Sequence, residues 1–151
     1  MKLVARVLLA VLAGSPGVAW SATNCSLTVA PFVFGTYQPT SPSPLDVNGE
    51  IDVRCTGQAG LFVARLSTGG SGTYVPRQMR FGTNRMNYNF YVNAARTTIW
   101  GDGSSGTWFS GGVKLNNGLE NFELPVYGRI FAGQSVAAGA YSDNVIVTIS
   151  F

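Results

Sequence analysis

Apolar residues at every second position near the end of the chain restrict the fold more than any other sequence feature. The alternating set consists of Val145, Val147, Ile149 and Phe151. Side chains two apart in an extended strand share a face, so these four would point the same way. Asn144, Thr148 and Ser150 take the other face, where Ile146 is the one apolar residue. Because the sequence stops on this strand, we expect its edge to be covered by another strand of the chain or of another molecule.

The same period of two recurs along the chain. The clearest alternating segments are 25–29, 51–55, 86–90 and 122–126, and a further strand-like segment covers 61–66. We expect residues 32–34 to continue the first alternation past Pro31, residues 100–112 to form a glycine- and serine-rich loop, and Pro125 to interrupt a strand. About seven strands separated by turns predict an all-β, antiparallel β-sandwich that forms one domain.

The N-terminal segment has the features of an export signal. Lys2 and Arg6 precede a short apolar run over 7–13, and small residues follow it. This pattern predicts a signal peptide over 1–21 and a mature domain over 22–151. The apolar run is far shorter than the roughly 20 residues that a membrane span needs, so we expect no stable membrane insertion.

The charge of the mature chain does not favour nucleic-acid binding. Removing Lys2 and Arg6 leaves eight basic against seven acidic residues, a net charge of +1. We interpret Arg77, Arg80 and Arg85 as solvated ends of strands and loops. Only 11% of the residues are charged and 19 are glycine, which is typical of an extracellular β protein with many turns.

The residues that carry most enzyme chemistry are scarce. The sequence has no histidine, the usual general base near neutral pH. The carboxylate pairs Glu50/Asp52 and Glu120/Glu123 are interpreted as solvent-facing charge, and Asp102 between two glycines as a turn residue. We therefore expect neither catalysis, nor a cofactor, nor a metal site.

Two cysteines, Cys25 and Cys55, are the only ones in the sequence. An isolated pair in an exported chain is most simply a disulfide. It would close a loop of about 30 residues and contribute on the order of 3–4 kcal/mol in the chain-entropy model. A redox or metal site would need further ligands, and the sequence offers no CxxC motif.

Several aromatic residues fall in or near predicted loops. Trp100, Trp108 and Phe109 are the candidates for a surface-contact loop, because exposed rings can stack on sugars or insert into apolar surfaces. Packing within the loop or against the core is the alternative interpretation of the same residues.

Taken in order, the sequence landmarks resemble the spore coat protein U domain family, found in subunits of archaic chaperone–usher pili. The matching segments are Cys25, Phe34-Gly35-Thr36-Tyr37, Ile51 to Thr56, Met86 to Tyr91, Trp100 to Gly103, Leu124 to Ile130 and Gly139 to Asp143, followed by the apolar final strand. The resemblance covers the whole mature chain.

The resemblance implies an immunoglobulin-like sandwich that lacks its last strand. A periplasmic chaperone would lend a strand first, and another pilus subunit, delivered by an usher, would replace it in the fibre. The edge that receives this strand would carry Val145, Val147, Ile149 and Phe151. The protein would then pass through the periplasm to the cell surface, as part of an adhesive, biofilm-forming pilus or a coat.

One departure from the family pattern concerns the segment ahead of Cys25. Cleavage after Ser21 leaves three residues there, whereas a donated strand needs about 6–10. This favours a subunit that receives a strand but gives none, most simply at the fibre tip. Cleavage after Ala13 would instead free residues 14–24 as a donor.

The main alternative function is a self-contained secreted coat or carbohydrate-binding module. Its sandwich would be complete without a partner, so the lone chain would be a stable monomer. An exported hydrolase is a more distant alternative, because it requires a carboxylate pair that faces one cleft.

N-terminal sequencing of the secreted protein tests the tip assignment. We expect the first residue to be Ala22, because cleavage after Ser21 places small Ala19 where signal peptidase favours small residues. A mature chain that starts near Gly14 would contradict the tip assignment, since it would carry a segment long enough to be donated.

Overall fold

Two antiparallel β-sheets of unequal size face each other in the computed structural model, which describes residues 22–151. The strands are β1 (Asn24–Val29), β2 (Leu45–Thr56), β3 (Gly60–Leu66), β4 (Arg77–Phe81), β5 (Asn84–Tyr91), β6 (Ser110–Lys114), β7 (Glu120–Ile130) and β8 (Val147–Ser150). The larger sheet has the order β1-β2-β7-β5-β4 and the smaller one β6-β3-β8. The predicted all-β, immunoglobulin-like sandwich is confirmed, whereas the predicted signal peptide over 1–21 lies outside the described residues.

The core forms between the two sheets from the alternating residues that the sequence predicted. On β2, Ile51, Val53 and Cys55 are buried while Asp52 and Arg54 are exposed. The opposing sheet contributes Phe62, Ala64 and Leu66 of β3. One face of each strand is therefore removed from water, which is the main source of stability in such a sandwich.

The predicted disulfide is present and joins β1 to β2. Cys25 and Cys55 are directly opposite in the strand register, and their sulfur atoms are bonded at 2.04 Å. Cys55 is fully buried. The bond therefore holds the edge strand β1 on the larger sheet from within the core.

Three local expectations were wrong. Residues 30–44 form no strand, β6 begins within the segment expected to be a loop, and β7 continues through Pro125. At Pro125 the strand pairs with β2, but its pairing with β5 covers only 127–130. The missing N–H of the proline is tolerated because one side of β7 has no paired strand there.

Arg77, expected to be solvated, is fully buried instead. Its guanidinium donates to the carbonyl oxygens of Ser67 and Trp100 at 2.8 and 2.7 Å, and to Asn89 Oδ1 at 2.7 Å. The Tyr74 ring lies 5.0 Å away. Burial lowers the pKa of Arg77, and the carbonyl dipoles compensate for part of the lost hydration. One cation thus joins three chain segments.

The segment that leads into β8 is attached to the larger sheet by Asp143. The Tyr88 hydroxyl of β5 donates to Asp143 Oδ2 at 2.7 Å, and the Gly70 N–H donates to Oδ1 at 2.7 Å. Backbone hydrogen bonds between Arg80 and Ser142 add to this attachment. Burial, with the Asp143 hydrogen bond second, raises the pKa of the Tyr88 phenol.

The Tyr88→Phe variant tests this burial through the pH dependence of stability. In the unfolded chain the phenol ionises near pH 10, whereas the folded state keeps it protonated, so wild-type stability falls as pH rises past 10. We expect the wild type to lose about 1.4 kcal/mol more than Tyr88→Phe between pH 9 and 11, measured by urea denaturation. Both proteins should respond alike between pH 7 and 9. Equal losses above pH 10 would contradict the assignment.

Candidate functional site

A groove lies between the two sheets and is lined by residues of both. Its volume is about 870 Å³. The groove arises because the larger sheet has five strands and the smaller one three, so part of the apolar face of the larger sheet has no strand opposite. Both pieces of chain that flank the uncovered region, 29–37 and 136–145, contribute to its lining.

One edge of the smaller sheet borders this groove. Within the described residues, β8 pairs with β3 on one side and with no strand on the other. Val145, Val147 and Ile149 pack against the core as the alternation predicted. Phe151 does not join them and is 56% exposed, because it lies beyond the last residue that pairs with β3.

The strand is also shorter than predicted, since β8 begins at Val147. Ahead of it, the pairing is continued by Ser67, whose N–H donates to the Ile146 carbonyl at 2.9 Å. The Ser67 hydroxyl accepts the Ile146 N–H at 2.9 Å. The Ser67 side chain therefore takes the place of a backbone acceptor. The unpaired edge thus begins before Val147, the first residue of β8.

Two phenylalanines from the loop 30–44 line the base of the groove. Phe32 packs edge-on against Phe90 at 4.9 Å between ring centroids, and Phe34 against Tyr88 at 5.7 Å. The Phe32 ring fits over two glycines, because a Cβ at Gly49 or Gly128 would lie 2.8 or 2.7 Å from it. Sequence reasoning missed this contact, although a glycine within a strand is a known sign of close approach.

The three residues of the predicted surface-contact loop differ in exposure: one is buried and two are at the surface. Trp100 is 0% exposed, and its Nε1 donates to the Ala64 carbonyl at 3.0 Å. Its inclusion in a surface-contact site was wrong, because the indole fills the core. Trp108 is 60% and Phe109 36% exposed, and their rings stack at 6.0 Å. The loop between Trp100 and Trp108 is closed by the Gly101 N–H, which donates to the Trp108 carbonyl.

Two acidic residues, Glu50 and Asp143, line the groove, and both oxygens of Asp143 already accept hydrogen bonds from Tyr88 and Gly70. Asp52 and Glu123 are opposite each other in the register, but on the outer face of the larger sheet. Asp102 accepts hydrogen bonds from Ser104, which lower the pKa of its exposed carboxyl. In residues 22–151 no group of three candidate ligands could hold a metal ion.

No helix in the described part of the chain has the length and apolar character needed to cross a bilayer.

Comparison with known proteins places these features in a family. The model of the Spore Coat Protein U domain matches residues 12–148. The chain is 36% identical over 134 residues to "Protein U" of Myxococcus xanthus, which covers 78% of this chain and 70% of that protein.

A solved structure is similar in fold. It is the CsuC–CsuE chaperone–tip adhesion subunit pre-assembly complex from archaic chaperone–usher Csu pili of Acinetobacter baumannii, with a TM-score of 0.55 and 19% identity. The match covers 86% of this chain and 40% of the other, so this chain spans less than half of that protein's length. The family model and the curated relative together show that the chain belongs to the Spore Coat Protein U domain family.

Proposed function

We propose that this chain is an exported structural and adhesive subunit of a chaperone–usher pilus or surface coat, assembled by donor-strand complementation. The observation that carries the proposal is the unpaired edge of β8 beside an apolar groove of about 870 Å³. Aromatic and aliphatic side chains make up most of the groove lining, with Glu50 and Asp143 as its two carboxylates. Family membership and the fold shared with a pilus subunit support the same function.

Strand addition would both pair the unpaired backbone edge of β8 and fill the apolar groove beside it. Backbone N–H and C=O groups of an incoming strand would pair with those of β8, and its alternate side chains would enter the groove. Burying apolar surface contributes about 25 cal/mol per Å², so a few large side chains would suffice to hold the donor. Val145, Val147 and Ile149 would then lie beside the inward-facing side chains of the added strand, with Phe151 near its end.

The partners follow from this mechanism. A periplasmic chaperone would supply the first strand, and another pilus subunit would replace it at an usher. Export would require removal of the signal peptide predicted over 1–21, after which the domain 22–151 would reach the cell surface. These partners and this route are part of the proposal.

A position at the fibre tip is the finer part of the proposal. Cleavage after Ser21 would leave too few residues ahead of Cys25 to be donated to a neighbour. The exposed Trp108 and Phe109 would then provide contact with a surface and so an adhesive role in biofilms. Cleavage after Ala13 would instead place the chain within the shaft.

The Ile149→Glu variant tests strand addition at β8. Ile149 shares the inward face of β8 with Val147, which lines the groove, so a carboxylate there would be buried by an incoming strand, whereas Thr148 is exposed opposite Arg65. We expect Ile149→Glu to reduce co-purification with a co-expressed archaic-type periplasmic chaperone at least about tenfold. The matched control Thr148→Glu should retain the complex, because its charge stays in water beside Arg65.

The same expression experiment separates the proposal from its main alternative. Without the chaperone we expect the wild-type chain to aggregate, because the groove and the β8 edge stay uncovered. A soluble monomer whose β8 amides are protected on both sides from hydrogen exchange would instead indicate a self-contained coat or carbohydrate-binding module.

A further inference from the structure

A second cavity lies on the outer side of the smaller sheet, across β8 from the groove. Its volume is about 800 Å³. Arg65 of β3 and Thr148 of β8, which are opposite each other in the register, form one wall. Tyr74 and the loop that contains Asp102 and Ser104 form the other. We refer to this cavity as the outer cleft.

The outer cleft presents both hydrogen-bond donors and acceptors. The Arg65 guanidinium donates from Nη1 to Ser150 Oγ at 3.3 Å, and its remaining N–H groups have no partner within residues 22–151. Asp102 receives the Ser104 N–H and hydroxyl on one oxygen, Oδ1. One cation and one carboxylate therefore line the same cleft, and their charges balance.

The exposed aromatic pair adjoins the outer cleft. The Arg65 guanidinium lies 5.2 Å from the Phe109 ring centroid, and Phe109 stacks on Trp108 with 14° between the ring planes. A Cβ at Gly103 would lie 3.2 Å from the Phe109 ring, so the loop that forms the cleft wall also packs on this ring. Cleft and rings thus form one continuous surface, with the indole at its exposed end.

We propose that the outer cleft and the Trp108 indole together bind a neutral polysaccharide whose pyranose rings present flat C–H faces, as β-linked glucans do. One sugar ring would stack on Trp108, and hydroxyl groups of the next would bond to Arg65, Asp102 and Thr148. The inference rests on the proposed function only for the surface-contact role of Trp108 and Phe109, whose ligand it names.

Charge and hydration favour this ligand over others. An anionic polymer would gain from Arg65 but meet Asp102, so the cleft offers it little net attraction. A plain apolar surface would dehydrate both charges without giving them hydrogen bonds, which is costly. A neutral sugar can donate to the carboxylate and accept from the guanidinium through its hydroxyl groups.

Affinity electrophoresis tests the proposal, with hydroxyethylcellulose and laminarin as the neutral β-glucans in native gels. The sample is the full chain in its chaperone complex, or alone if it is soluble. We expect the wild type to be retarded by at least one glucan and Trp108→Ala to bind about tenfold more weakly. Asp102→Ala should weaken binding several-fold, and the glucan should shift the tryptophan fluorescence of the wild type.

The matched control is Leu115→Ala, which removes an exposed apolar side chain just past the far end of β6. It should bind as the wild type does. Absence of retardation by both glucans, or equal retardation of wild type and Trp108→Ala, would overturn the proposal. So would Trp108-dependent adhesion to polystyrene latex without glucan binding, which would favour a purely apolar contact. Co-purification with the chaperone is scored separately, so failure of strand addition is distinguishable from failure of glucan binding.

Discussion

The unequal width of the two sheets is the constraint on which the rest of the structure depends. Five strands face three, and a sheet with one apolar face needs cover over its whole width. The loop 30–44 supplies part of that cover with Phe32 and Phe34. The remainder is the groove beside β8, so an incomplete core and an unpaired edge arise at the same place for the same reason.

Much of the fold could be predicted because the alternation of apolar and polar residues in a strand indicates which of its faces is buried. On β2, apolar and charged residues alternate without exception from Glu50 to Cys55, and the register that places Cys25 opposite Cys55 agrees with the disulfide expected from composition alone. The terminal alternation predicted which side of β8 faces inward. A strand pattern carries this information locally, without reference to the rest of the chain.

Other features could not be predicted because they depend on the tertiary context. The sequence alone predicts that Arg77 is at the surface. In the folded protein three chain segments meet around its guanidinium, and carbonyl oxygens replace water. The sequence alone predicts that Trp100 belongs to a loop. In the folded protein its indole N–H donates to the Ala64 carbonyl oxygen in the core. The groove could not be predicted from the sequence either, because its walls come from segments that are about a hundred residues apart in the chain.

The seating of Phe32 over Gly49 and Gly128 has a consequence for how this fold can diversify. Side chains from a loop cover part of the sheet at the base of the groove. A change of ring size at residue 32 or 34 would alter the depth and outline of the groove while every strand keeps its register. Recognition of different neighbours can therefore evolve in one irregular segment, independently of the framework that carries it.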